Sequence, residues 1–137
     1  KFSNNEKDDT LYEEWFVKWV RSAFKAKGNA ASIIELISWS EEVASYGREV
    51  QKQFLHYCIE FFRQALLENY TTKGLVYLDE GLDDFELKKF APFVNGSNID
   101  EIFKELSDAI YHIERNGNGK IILTDLSIKL TRLIHKK

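Results

Sequence analysis

The segment from about Arg48 to Asn69 constrains the fold more than any other part of the chain. Its apolar residues recur at spacings of three and four throughout, which is the period of an α-helix with one buried face. This pattern predicts a long amphipathic helix and favours an all-α fold. The residues of this stripe are Val50, Phe54, Cys58, Phe61, Phe62, Ala65 and Leu66.

Five further segments have a helical period, so we expect a single all-α helical bundle of about five to six helices. The first helix is predicted to begin at Thr10, because Thr10 and Glu13 have the spacing of a capping box, and to end at Gly28. Asn29 is expected to cap a second helix that runs to about Ala44. The bulk of that second helix comes from Ile33, Leu36, Ile37 and Trp39.

A fourth, short helix is predicted from Asp83 to about Val94, although Pro92 falls in its last turn. A fifth helix is expected to open at Ser97, because Ser97 and Asp100 repeat the capping-box spacing.

The final segment, from Lys120 onward, is ambiguous between strand and helix. Leu126, Ile128 and Leu130 alternate as in a strand, and the Asn-Gly pairs before them are typical of hairpin turns. The same segment has a helical stripe, and no other convincing strand exists to pair with it. We therefore expect a sixth helix here, with a stripe formed by Ile122, Leu126, Leu130, Leu133 and Ile134.

Composition narrows the class of protein. The chain has 137 residues, 44% hydrophobic and 30% charged, which is typical of one soluble domain with a real core. A net charge of −3 disfavours binding to a phosphate backbone. Cys58 is the single cysteine, which fits a reducing, cytoplasmic location, and no apolar stretch is long enough for a membrane span. We interpret residues 1–9 as a polar linker or tail before a domain at 10–137, in a chain cut from a longer protein because it has no Met.

The sequence contains no pattern typical of an active site. His56 and Glu60 have a spacing that can hold a metal, and His112 follows Asp108 by four residues, but solvated polar helix faces explain both pairs. Cys58 belongs to the apolar stripe, and no phosphate loop, dinucleotide fingerprint or nucleophile elbow occurs. We expect no catalytic residues, no metal site and no cofactor, and therefore no enzyme activity in this domain.

The segment from Glu114 to Asp125 resembles the twelve-residue calcium loop of an EF-hand. Oxygen-bearing side chains stand at its positions 1, 3, 5 and 12, and Gly119 stands at position 6. Glu114 is longer than the first position requires, however, and Asp125 is shorter than the last position requires. An EF-hand-like calcium-binding regulatory module is the alternative function that this segment leaves open.

The simpler interpretation is a joint between two helices. Gly117 would supply the left-handed residue that ends the fifth helix, and Asn118 would cap the sixth. The candidate structural residues of this joint are Asn116, Gly117, Asn118, Lys120 and Asp125.

Two stretches resemble a known family. Gly47 to Tyr70 and Ile113 to Leu130 are similar to the C-terminal region of the delta-prime subunits of bacterial DNA polymerase III. The second stretch includes an Asn-x-Asn-x-Lys motif at Asn116 to Lys120, then aliphatic residues and an Asp-Leu pair, an ending seen across clamp-loader subunits.

The resemblance implies an all-helical collar domain that follows two AAA+-type domains in the clamp loader. Five such domains pack side by side into a ring, while ATP binding, the arginine finger and most DNA contacts belong to the preceding domains. The implied function is non-catalytic oligomerisation in DNA replication. The implied partners are the other clamp-loader subunits, with DNA contacted only indirectly and no membrane or small-molecule substrate involved.

Aromatic residues make up 14% of the chain, more than a minimal core demands. Trp and Tyr are favoured at interface hot spots, so some rings are candidates for subunit contacts, with burial in the core as the alternative. A small-molecule-binding helical domain would instead place these rings around a pocket. The candidate interface residues are Trp15, Trp19, Trp39, Tyr57 and Tyr111.

Overall fold

The computed structural model describes residues 5–26, 28–71, 94 and 96–135, and this part of the chain contains five α-helices and no strand. The all-α prediction is confirmed, and so is the choice of helix for the final segment. The helix predicted from Asp83 lies outside the described residues, apart from its expected end at Val94, which is buried and not helical. The helices are α1 (Asn5–Lys25), α2 (Ala30–Ala44), α3 (Arg48–Thr71), α4 (Ile99–Glu114) and α5 (Gly119–Ile134).

Four of the helices form a sequence of neighbours, in which α3 packs along α4, α4 along α5 and α5 along α2. Helix α1 packs against α2, α5 and α3. None of the helices in the described residues combines the length and the apolarity that crossing a bilayer requires.

Side-chain links from α1 fix the directions of α2 and α5. Ser22 donates to Glu35 (3.2 Å) and Trp15 donates to Glu42 (3.1 Å), so the end of α1 lies beside the start of α2 and the two helices are antiparallel. Phe24 near the end of α1 stacks on His135 just after α5. Since this contact makes α1 and α5 parallel, α2 and α5 run in opposite directions.

Aromatic residues fill the centre of the bundle. The indole rings of Trp19 and Trp39 stack with centroids 4.9 Å apart, and Phe54 of α3 packs against both rings. Each indole N–H has a partner: Trp19 donates to the Ser127 hydroxyl (2.7 Å), and Trp39 donates to the Trp15 carbonyl oxygen (3.0 Å). Because buried N–H groups are costly when left unpaired, these bonds make the tryptophans well suited to the core.

Two helix starts differ from the sequence prediction. Helix α1 begins at Asn5, so Thr10 lies inside the helix and is not its cap. Asn98, rather than Ser97, is the N-cap residue of α4. The side chain of Asn98 is buried and donates to the Leu133 carbonyl oxygen at the end of α5 (3.0 Å) instead of capping α4. A contact between helices therefore outweighs the local capping interaction at this position.

Candidate protein-binding surface

The connection between α4 and α5 is a tight joint stabilised by backbone hydrogen bonds. The N–H of Gly117 donates to the His112 carbonyl oxygen (2.8 Å), and the N–H of Asn116 donates to the Ile113 carbonyl oxygen (3.1 Å). These two bonds form a Schellman motif, in which the residue after the helix end is left-handed. That residue is Asn116, with φ of 69°, so the prediction that Gly117 is left-handed is wrong.

Gly117 is required for space instead. A Cβ atom at this position would lie 2.6 Å from Ile122 Cδ1 and 2.8 Å from the His112 carbonyl oxygen. Both distances are shorter than van der Waals contact allows, so any side chain would push α4 and α5 apart.

The start of α5 is capped as predicted and is anchored to α3. The Asn118 side-chain oxygen accepts the N–H of Ile121 (3.0 Å). A Cβ atom at Gly119 would lie 2.5 Å from Oε1 of Gln51, a buried side chain that donates to the Ala44 carbonyl oxygen (3.0 Å). The joint therefore packs closely against the turn between α2 and α3.

The twelve residues that resemble a calcium loop do not form a loop. Residues 119–125 lie within α5, so the oxygen atoms of this segment do not converge on one point. Asp125 pairs with Lys129 (3.0 Å), and Glu114 pairs with Lys52 of α3 (3.6 Å). Lys120, the fifth candidate joint residue, pairs with Glu41 of α2 (2.8 Å). In the described ranges, no three His, Cys, Asp or Glu side chains are grouped closely enough to hold a metal ion.

The other titratable candidates lie on the polar faces of their helices, apart from the buried Cys58. His56 is exposed, and Glu60 pairs with Arg63 (3.1 Å). A hydrogen bond from Lys104 lowers the pKa of the exposed Asp108 carboxyl group. Complete burial raises the pKa of the Cys58 thiol well above its usual value, which keeps the thiol neutral.

The candidate interface tryptophans are core residues. Trp15, Trp19 and Trp39 are at most 3% exposed, so none of them is available to a neighbouring protein. The prediction that they are contact residues is wrong, because their rings pack, and their N–H groups are hydrogen-bonded, within the bundle. Tyr57 is half-buried against Tyr12 and Phe16.

Tyr111, the last candidate interface residue, is exposed on α4. The guanidinium group of Arg115 lies over its ring, 5.2 Å from the centroid, in the geometry of a cation–π contact. Tyr111 remains a candidate contact residue.

The largest surface feature that sequence reasoning missed is a group of exposed isoleucines on α2 and α5, which we call the α2–α5 face. Each side chain is between 37% and 64% exposed. Ile33 and Ile37, which contribute to the apolar bulk of α2, are exposed, because α2 turns Leu36, Trp39 and Val43 towards the core instead. The residues of the α2–α5 face are Ile33, Ile34, Ile37, Ile121 and Ile128.

The two rows of isoleucines lie side by side. Lys120 at the start of α5 pairs with Glu41 in the last turns of α2, as the antiparallel direction of the two helices requires. Moving eight residues along each helix from this pair brings Ile128 to the level of Ile33, with Ile37 about one turn away. The patch at this level therefore consists of Ile33 and Ile128, while Ile34 lies at the groove between α1 and α2.

Charged residues border this patch on α5. Asp125 precedes Ile128 by three residues and Arg132 follows it by four, so all three share the outer face of the helix. Asp125 is partly neutralised by Lys129, which also pairs with Glu105 (3.2 Å). A negative and a positive group thus stand on opposite sides of one exposed isoleucine.

An open groove of about 730 Å³ lies between α1 and α2. Its lining is mainly charged and includes Lys18, Arg21 and Glu35, with Ile34 at its edge. No aromatic residue lines this groove, so it is not the aromatic pocket that a small-molecule-binding domain would show.

In the part of the chain that the structure describes, the fold and surface define an all-α bundle with an aromatic core and exposed isoleucines on α2 and α5. Comparison with protein-family models, with curated proteins and with solved structures found no match to the chain.

Proposed function

We propose that this domain is an assembly module that joins protein subunits by helix packing and has no catalytic role. The observation that carries the proposal is the α2–α5 face. Its five isoleucines are each between 37% and 64% exposed, on two neighbouring helices. Exposed apolar side chains that lie close together commonly mark sites where another protein binds.

The rigidity of the bundle supports this role. The α2–α5 face lies on two helices that are held from behind by the stacked Trp19 and Trp39 and by the bond from Trp19 to Ser127. A face on rigid helices loses little conformational entropy on binding, so more of the contact energy remains as affinity.

We propose further that the assembly is the clamp loader of a bacterial DNA polymerase III, with this domain acting as the collar of a delta-prime subunit. Support comes from the resemblance of Gly47 to Tyr70 and of Ile113 to Leu130 to that family. The two stretches meet in the fold, because Lys52 pairs with Glu114 and Gln51 packs against Gly119. The residues that carry the resemblance thus belong to one connected framework of α3, the joint and α5.

In this proposal the domain acts mechanically in DNA replication in the cytoplasm. It holds neighbouring subunits in register while other domains bind ATP and contact DNA. It needs no cofactor, and its partners are the other clamp-loader subunits.

The test is reconstitution with purified clamp-loader subunits from the same organism, followed by native mass spectrometry. We expect the wild-type chain to enter a complex and Ile37→Glu to reduce its incorporation. Leu67→Glu is the matched control, because Leu67 is 39% exposed on α3 and lies outside the α2–α5 face. Failure of the folded wild-type chain to join any of these subunits would overturn the clamp-loader assignment.

A further inference from the structure

We propose that the groove between α1 and α2 binds an amphipathic helix of a partner protein. That helix has acidic side chains in its first turns and basic side chains in its last turn. The inference goes beyond the assembly function, because Ile33 and Ile37 are not part of the lining of this groove.

The groove has the length that a short helix needs. Its wall on α1 extends from Glu13 to Lys25, which is about 18 Å or a little over three helical turns. Because α1 and α2 are antiparallel neighbours, the groove between them is straight enough for a third helix to lie along both.

The lining of the groove allows close packing. Two of its side chains are serines, the buried Ser22 and the exposed Ser38, and small side chains let another helix approach closely. Val17 of α1 and Ile34 of α2 add apolar surface. Amphipathic helices commonly bind by laying apolar side chains into a groove of this kind.

The charged side chains of the groove are separated by sign along its length. Glu13 and Glu14 lie at one end. The next two turns of α1 have three cations, opposite one carboxylate of α2, that of Glu35, which accepts the Ser22 hydroxyl (3.2 Å). The groove thus has an acidic end and a predominantly basic end. The three cations are Lys18, Arg21 and Lys25.

Two of these cations are available to a ligand. Among the described residues, neither Lys18 nor Lys25 forms an ion pair, and both side chains are exposed. Carboxylates of a partner helix would neutralise these two ammonium groups. A nucleic acid fits less well, because Glu35 and the carboxylates at the acidic end would repel its phosphates. The groove therefore favours a protein helix with side chains of both signs.

The same charges fix the direction of the bound helix. Helices are stabilised by acidic side chains near their first turn and basic side chains near their last, because of the helix dipole. A helix of this kind matches the groove when its first turn lies near Lys25 and its last turn near Glu13 and Glu14. It then runs antiparallel to α1. A helix with the reverse order of charges would place like charges together, which is unfavourable.

Fluorescence anisotropy with two labelled synthetic peptides tests the proposal. The first is a helical peptide of about 14 residues, with Glu in its first two turns, Leu along one side and Lys in its last turn. The second has the same composition with the positions of Glu and Lys exchanged. We expect the first peptide to bind the wild-type chain about tenfold more tightly than the second, and its affinity to fall as salt is added.

Charge reversal in the groove locates the site. Lys18→Glu combined with Lys25→Glu should weaken binding of the first peptide by about tenfold. The control is Arg63→Glu combined with Arg115→Glu, which changes the net charge equally at exposed positions outside the groove and should bind like the wild type. Circular dichroism checks the fold of each variant. The two lysines are replaced by Gln if the Glu variant does not fold.

Three results would overturn the proposal: no binding of the first peptide up to about 1 mM, equal binding of the two peptides, or undiminished binding by the folded lysine variants. Ile37→Glu separates this proposal from the assembly function. Because Ile37 lies outside the groove, that variant should bind the first peptide like the wild type even where it fails to join other subunits.

Discussion

The side of α2 that faces the core and the side that faces solvent both have apolar residues, but only the first group is buried. The inner side places Leu36, Trp39 and Val43 in the core, where each is at most 2% exposed. The outer side presents Ile34 and its neighbours to solvent. Helix α2 thus has more apolar residues than its core-facing side can hold. The remaining apolar residues are exposed, as are isoleucines of the neighbouring α5.

The strongest test of this contrast replaces one residue from each side. Trp39→Ala should lower the free energy of unfolding by about 3–5 kcal/mol, because it leaves a large cavity and removes the indole that stacks on Trp19. Ile34→Ala should change stability by less than about 0.5 kcal/mol, apart from its helix propensity, because its side chain is 64% exposed. Urea unfolding followed by circular dichroism measures both, and similar losses in the two variants would remove the distinction.

The joint between α4 and α5 provides a second comparison, between crowding and backbone conformation. Gly117→Ala should destabilise the fold by about 1–3 kcal/mol, because its methyl group would meet Ile122 and the His112 carbonyl oxygen. Asn116→Gly should be neutral or slightly stabilising, because glycine adopts a positive φ without strain. Thermal unfolding of both variants decides the point. A Gly117→Ala variant as stable as the wild type would show that crowding does not select the glycine at 117.

Loss of the hydrogen bond between Trp19 and Ser127 in the aromatic core should lower stability by a smaller amount. Ser127→Ala removes the acceptor of the Trp19 N–H, at a cost of about 1–2 kcal/mol. The control is Ser38→Ala, since Ser38 lies on the exposed side of α2. Tryptophan fluorescence during urea unfolding reports both stability and the loss of the indole bond. An unchanged midpoint for Ser127→Ala would show that another group accepts this hydrogen.

The exposed pair of Lys104 and Asp108 should contribute least to stability, and this contribution should depend on pH. The hydrogen bond from Lys104 lowers the pKa of Asp108 below its ordinary value of about 4. Its contribution to stability is therefore present above that ordinary value and is lost as pH falls through the lowered pKa. Comparing Asp108→Asn with the wild type between neutral and acidic pH should show a small difference that vanishes in acid. A difference that grows in acid would contradict this origin.

Much of this architecture could be predicted from the period of apolar residues. The stripe of α3, the caps at Asn29 and Asn118, and the helical final segment all follow from local rules that the structure does not override. Asn98 could not be predicted, because its partner, the Leu133 carbonyl oxygen, is distant in sequence. Gly117 was named as a residue of the joint, but for the wrong reason. Crowding between helices requires a glycine there, and such crowding cannot be predicted from one segment of the sequence.

The candidate surface was the least predictable part. Aromatic residues suggested contacts to other proteins, but Trp15 and Trp39 find partners within the bundle. The signal in α2 was its excess of apolar residues, such as Ile33, Ile34 and Ile37, over what one buried side requires. Only the positions of α1 and α5 around α2 decide which of its apolar residues remain exposed.

The bond between Trp19 and Ser127 joins residues separated by 108 positions in the chain. During synthesis on the ribosome, the first helix emerges long before its partner exists. The indole of Trp19 must therefore remain without its acceptor until the last helix leaves the exit tunnel. Completion of the core must therefore wait until α5 has left the exit tunnel, and a nascent chain arrested before Gly119 should be a good substrate for chaperones.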